Sequence, residues 1–177
     1  MNKVTNAGPM NPTHIPLRTV AREPDTVVHS RALLAIFSAG LACGILDITA
    51  AFFTWSMRGV TPFRLLQAIA SGLLGTAAFR DGWPAALLGA ICHFFIAFSA
   101  ATVFYVASRK LKFMTRRPIL CGIAYGVCVY LVMYWIVIPL SRLAPMPFSL
   151  SRTAVAIVTH MICVGLPISL AVCRYSI

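Results

Sequence analysis

Four polar side chains stand in stretches where hydrocarbon is the expected surrounding: Asp47, His93, Tyr130 and His160. Asp47 is the only carboxylate inside any long apolar stretch. His93 and His160 are the only imidazoles there, since His14 and His29 precede the first stretch. A charge inside a bilayer costs at least about 2.5–3.5 kcal/mol on insertion scales, so an intramembrane carboxylate calls for a partner or a purpose. Three chemistries follow from these residue types. A carboxylate and an imidazole pin helices together by hydrogen bonding, or relay protons and bind a solute in a small carrier. Two histidines on facing helices are also the axial pair of a b-type haem, which helix bundles accommodate. Metal-assisted hydrolysis has little behind it: two histidines and one aspartate would ligate zinc, but there is no HExxH helix and no spare carboxylate to act as base. No catalytic residue and no metal ligand is assigned, and the chain does not read as an enzyme. Neither a phosphate loop nor a dinucleotide glycine fingerprint is present, so nucleotide chemistry has no support, and no cofactor is assigned.

These residues need long helices to position them. Of the 177 residues, 59% are apolar and only 11% charged, with a mean hydropathy of +0.85. Soluble domains average about 45–50% apolar and about 25% charged, so a soluble globular domain is excluded, and so is a disordered chain. Four stretches, residues 32–56, 84–108, 118–139 and 153–173, reach the roughly 20 residues that cross a hydrocarbon core. Pro84 and Pro118 open two of them, where a missing N–H costs nothing, and Pro139 closes the third. Alternation of apolar and polar residues is absent, which argues against a membrane β-barrel. The expected fold is an all-α polytopic membrane bundle of four transmembrane helices.

A fifth apolar segment, residues 63–79, is at the short edge of spanning length. Its Arg64, Gln67, Ser71 and Gly75 recur at helical steps, while Leu66, Ile69 and Leu73 fall on another face. It reads as a short interfacial or re-entrant helix tucked against the bundle. Residues 1–31, with Pro9, Pro12, Pro16 and Pro24 and no apolar run, read as a disordered leader rather than a signal peptide. The transmembrane domain is therefore 32–177.

Charge sets the orientation. The net charge is +11, from 15 Lys and Arg against four acids. With four spans and the N-terminus inside, the inner side holds Lys3, Arg18, Arg22, Arg31, Arg109, Lys110, Lys112, Arg116, Arg117 and Arg174; the outer side holds Arg58, Arg64, Arg80, Arg142 and Arg152. Ten against five obeys the positive-inside rule, and making residues 63–79 a fifth span weakens the contrast. Both termini are expected in the cytoplasm. The basic excess suits an anionic lipid leaflet, not nucleic acid, because the basic loop is short and borders two spans.

Depth and face suggest a shared site. Asp47 lies just past the middle of an outward-running helix, and His93 and His160 just before the middle of inward-running ones. All three fall about 4–5 Å to the outer side of the midplane, at roughly 1.5 Å rise per residue. Asp47 continues the face of Gly40 and Gly44, and Tyr130 that of Gly122 and Gly126. Pro167 frees the Cys163 carbonyl near His160. An outer polar pocket of Asp47, His93, His160 and Tyr130, with Gln67 over it, is expected. The four glycines have the spacing that lets helix backbones meet in lipid, and the first span is expected to seat on the third. A homo-oligomer or another membrane protein is an alternative use for that face. An odd span with a glycine pair followed by an even span with one histidine also hints at a loose 2+2 repeat. The six cysteines all lie within spans, have no CxxC spacing, and suggest no disulfide.

The run Arg64-Leu-Leu-Gln-Ala-Ile-Ala-Ser-Gly-Leu-Leu-Gly75, with Gly82, Gly89 and His93-Phe-Phe-Ile-Ala after it, resembles a family of small bacterial inner-membrane proteins. The likeness extends from about Ala39 to Pro167. It implies a four-span chain in a bacterial inner membrane and brings no activity, substrate or cofactor with it.

Reporter fusions check this reading. Fusions after Lys112 and at the C-terminus should report a cytoplasmic location, and a fusion after Ala144 a periplasmic one. Periplasmic phosphatase activity from the Arg109–Arg117 loop would reverse the orientation.

Overall fold

The structure, a computed structural model, describes residues 25–143 and 148–175. It is all-helical over those residues, and four helices are long and apolar enough to cross a membrane: Ser30–Ser56, Gly82–Lys110, Pro118–Leu140 and Leu150–Tyr175, here spans 1 to 4. The chain is a multi-pass membrane protein. Most of the expected leader lies outside the described residues. Within the described residues the first helix already runs from Asp25, so residues 25–31, expected in the leader, are helical and continuous with span 1.

Local chemistry explains the ends. Pro118 opens span 3 where no N–H is needed, and Arg109 and Lys110 occupy the last turn of span 2, where a cation complements the helix dipole. Between spans 1 and 2 the chain turns at Gly59, whose φ of 76° suits glycine, and enters a short helix, Pro62–Leu74. Thr61 caps that helix by accepting the Arg64 N–H at 3.2 Å. A tighter turn, Gly75–Phe79, follows the positive φ of Gly75 and leads into span 2.

The short helix packs on span 2 and buries polar residues beside the apolar Leu65 and Ala70. Gln67 and Ser71 are buried, whereas Leu73 is 60% exposed. In lipid the apolar residues can face outward, and polar ones gain by turning to protein partners. Gln67 Nε2 donates to the Gly82 carbonyl at 3.3 Å, and the Arg64 guanidinium lies 4.0 Å from the centre of the Phe79 ring. The chain beyond span 3 returns to clamp this helix, the Arg142 N–H donating to the Gly72 carbonyl at 2.8 Å.

Span 1 packs on spans 2 and 4, and span 4 packs on span 3. The end of the bundle near the 111–117 loop is solid. Phe104, Met114, Ile168 and Val172 fill it together with the small Ala39, Cys43 and Ala101. Tyr125 of span 3 reaches span 2 there: its hydroxyl donates to the Ala100 carbonyl at 2.7 Å, and its ring meets Phe104 edge-on at 4.9 Å. All six cysteines are free.

The glycine pairs do not seat span 1 on span 3. Gly40 and Gly44 face Phe98 and Phe94 of span 2, while Gly122 and Gly126 face Ser169, Gly165 and the backbone at His160 and Met161 of span 4. The unforeseen partner is Gly165, which abuts the Gly122 carbonyl and the Gly126 nitrogen. Matching surfaces are found between spans 1 and 2 and between spans 3 and 4, whereas span 1 offers span 3 no such backbone contact. Gly89 serves the short helix in the same way, resting against the Leu66 carbonyl.

The nature of each neighbour orders the cost of adding a methyl group. Gly89→Ala, Gly126→Ala and Gly165→Ala collide with backbone and should each destabilise the detergent-solubilised protein by about 1–3 kcal/mol or more. Gly40→Ala meets only the Phe98 ring, which can rotate, and should cost clearly less. Thermal unfolding of the series checks the order, and equal losses would refute it.

Candidate functional site: a cavity between the spans

Away from the solid end the helices diverge around a cavity of about 350 Å³. Every span contributes to its wall, Asp47 from span 1, His93 from span 2, Tyr130 from span 3 and His160 from span 4. Leu65 and Ile69 of the short helix complete it.

Each polar side chain is held by a local device. Asp47 lies on the next helical step after Gly44, at the face where span 1 meets span 2. His93 reaches across that contact, its Nε2 within 2.9 Å of the Gly44 carbonyl. His160 turns back on its own helix, with Nδ1 within 2.8 Å of the Ala156 carbonyl. A carbonyl only accepts, so these ring nitrogens carry the protons, and the other nitrogen of each neutral imidazole is left an acceptor. Tyr130 meets His160 edge-to-face at 5.7 Å and stacks on Tyr134 at 5.9 Å. Among the described residues, no hydrogen bond or ion pair engages the Asp47 carboxylate.

Two π turns shape spans 3 and 4 beside the cavity, Met133–Val137 and His160–Gly165. Each directly precedes a proline-bearing turn. Proline cannot donate to the carbonyl four residues earlier, and a widened turn takes up the strain. The N–H of Ile138 donates to the Met133 carbonyl, and that of Leu166 to the Met161 carbonyl. Met133, Tyr134 and His160 lie in these turns and line the cavity. Pro167 does disturb its helix, and the outcome is a π turn that begins at His160.

Asp47, His93, Tyr130 and His160 are brought to one cavity; Gln67 is not. Its side chain turns to the start of span 2, and its neighbours Leu65 and Ile69 face the cavity instead. On a helix, the residue midway between two cavity-facing positions four apart points elsewhere. Sequence reasoning missed Trp55 and Tyr134, which line the wall, although both follow helical steps from residues it singled out. Trp55 is two turns beyond Asp47, and Tyr134 is one turn beyond Tyr130. Arg58 lies over the Trp55 ring at 5.4 Å. No cluster of three or more His, Cys, Asp or Glu capable of holding a metal occurs among the described residues.

The two halves echo one another at this level. In the first, the Gly44 carbonyl takes the His93 ring; in the second, Gly126 packs on the His160 main chain. The second glycine of each pair thus meets the histidine of the following span.

Fold and site together define a multi-pass α-helical membrane protein with a cavity between its spans, lined by groups from all four. Comparison with family models, curated proteins and solved structures gives no match.

The two histidines should differ in structural weight. His93→Leu removes a bond between spans and should lower stability by about 0.5–1.5 kcal/mol. His160→Leu removes a bond within one helix and should cost less. Unfolding of both variants in the same detergent checks the difference, and a larger loss at His160 would contradict the assigned contacts.

Proposed function

We propose that this chain is a small carrier, or the accessory subunit of one, whose solute site is the cavity between its spans. The observation that carries the reading is the unpaired Asp47 carboxylate in a cavity walled by all four spans. A residue retained only to pin helices gains by pairing, and an unpaired carboxylate away from water is costly. That speaks against a purely structural role. The imidazoles favour a solute site over a b-type haem, because His93 already commits Nε2 to the Gly44 carbonyl, a bond that ligation of an iron by that nitrogen would break.

The location proposed with this function is a bacterial inner membrane with both termini in the cytoplasm. The ten-to-five distribution of basic residues supports the orientation, and the resemblance of the 64–97 region to small bacterial membrane proteins supports the compartment. The cavity then lies in the outer half of the bilayer, and the short helix sits at the periplasmic surface. An accessory role adds a second membrane protein as partner, and a second copy of the chain is the other candidate for its lipid-facing surfaces.

Accessibility of the cavity tests the carrier reading. In a background with the native cysteines replaced by alanine, Ala51→Cys places one thiol on the cavity wall. A membrane-impermeant maleimide should label it in right-side-out vesicles and also, at a slower rate, in inside-out vesicles, since a carrier opens to both sides. Asp47→Asn should leave the protein folded while changing the ratio of the two rates. A thiol inert from both sides would end the carrier reading.

A further inference from the structure

The charge balance of the cavity lining narrows its ligand. The chain carries 15 Lys and Arg against four acids, yet the lining contains one of those acids and no Lys or Arg. Arg58 is exposed and stacked on the wall residue Trp55. His93 and His160 each commit a ring N–H to a main-chain carbonyl, which leaves an acceptor on each neutral ring. The Asp47 carboxylate, also an acceptor, has no donor among the described residues. The remaining wall is apolar and aromatic, with Trp55, Tyr130 and Tyr134 among Ile, Ala, Val and Leu.

Such a cavity has neutral donors in the Trp55 indole and the Tyr130 and Tyr134 hydroxyls but no positive charge of its own to balance Asp47. The geometry points to a lipophilic organic ammonium as its ligand, with the charged N–H group at Asp47 and the apolar body among Trp55, Tyr130 and Tyr134. This assignment rests on the reading of the cavity as a solute site and names the class of solute. An anion would face an unpaired carboxylate in a low dielectric and find no cation to balance it. A neutral apolar molecule would fill the volume but leave Asp47 without a partner. An alkylammonium supplies both donor and charge, and aromatic faces add cation–π attraction to a desolvated cation. About 350 Å³ is at the small end of ligand cavities, enough for one aromatic ring with a short alkyl chain.

A matched set of probes separates charge from shape. 4-Phenylbutylammonium, 4-phenylbutanol and 4-phenylbutyrate share one apolar body and differ at the head group. Calorimetric titration of the full-length protein in detergent, corrected against protein-free micelles, should show saturable binding of the ammonium. The alcohol and the carboxylate should bind at least about tenfold more weakly. In Asp47→Asn the ammonium should fall to the affinity of the alcohol, while Asp47→Glu should keep most of it. The wild-type comparison among probes needs no variant, so it decides even where Asp47→Asn does not fold. Carboxylate binding as tight as ammonium binding would overturn the proposal. So would ammonium affinity unchanged in folded Asp47→Asn, or the absence of saturable ammonium binding. The maleimide experiment is independent: a cavity open from both sides that ignores ammonium removes this ligand class and leaves the carrier reading in place.

Discussion

Close contact between backbones at glycine is the constraint on which the rest of this bundle depends. Lipid tails are as apolar as the side chains, so burial contributes little to helix association, and dispersion across tightly fitted surfaces has to supply it. Spans 3 and 4 meet through Gly122, Gly126 and Gly165, where each helix presses on the other's main chain. The short helix meets span 2 in the same way through Gly89 and the Leu66 carbonyl. Spans 1 and 2 use a softer version, with the rings of Phe94 and Phe98 laid over Gly44 and Gly40. Spans 2 and 3 have no such notch. They are bridged at one end by Tyr125, and the helices part beyond it. The cavity is the space that this uneven packing leaves.

The same solvent explains why the cavity wall has the shape it does. A carbonyl freed by proline cannot turn to water inside a bilayer, so the helix must resolve the defect internally. Spans 3 and 4 both do so with a π turn before the proline. These turns present Tyr134 and His160 to the space between the helices. The short helix obeys the rule from the other side: Gln67 and Ser71 turn into the protein beside Leu65, while Leu73 faces outward, because protein is the more polar of its two surroundings.

Electrostatic placement follows from both. Basic residues gather at the helix ends and in the short 109–117 loop, where most are exposed and Arg109 and Lys110 complement the carbonyl end of span 2. Asp47 is the exception, one acidic group carried into the bundle by the helix face that Gly44 begins. Its neighbours His93 and His160 are oriented by main-chain carbonyls and not by the carboxylate. A carboxylate whose imidazole neighbours are engaged elsewhere is poised for a group that comes from outside the chain.

The sequence by itself determined the number of spans, their limits to within a few residues, and the presence of a short extra helix. Length and hydropathy suffice for these, because a bilayer of fixed thickness admits few solutions. It also singled out Asp47, His93, Tyr130 and His160, since polar residues in hydrocarbon stand out without any knowledge of packing. Only the tertiary structure decided which helices touch. The glycine spacing is the same in spans 1 and 3, but the partner depends on a complementary notch, and Gly165 could not be recognised as one before its span was docked. Tertiary structure also turned Gln67 away from the cavity and brought in Trp55 and Tyr134. The rotation of a helix about its own axis is set by the surface it packs against, and in lipid an amphipathic pattern gives no guide to which face that will be.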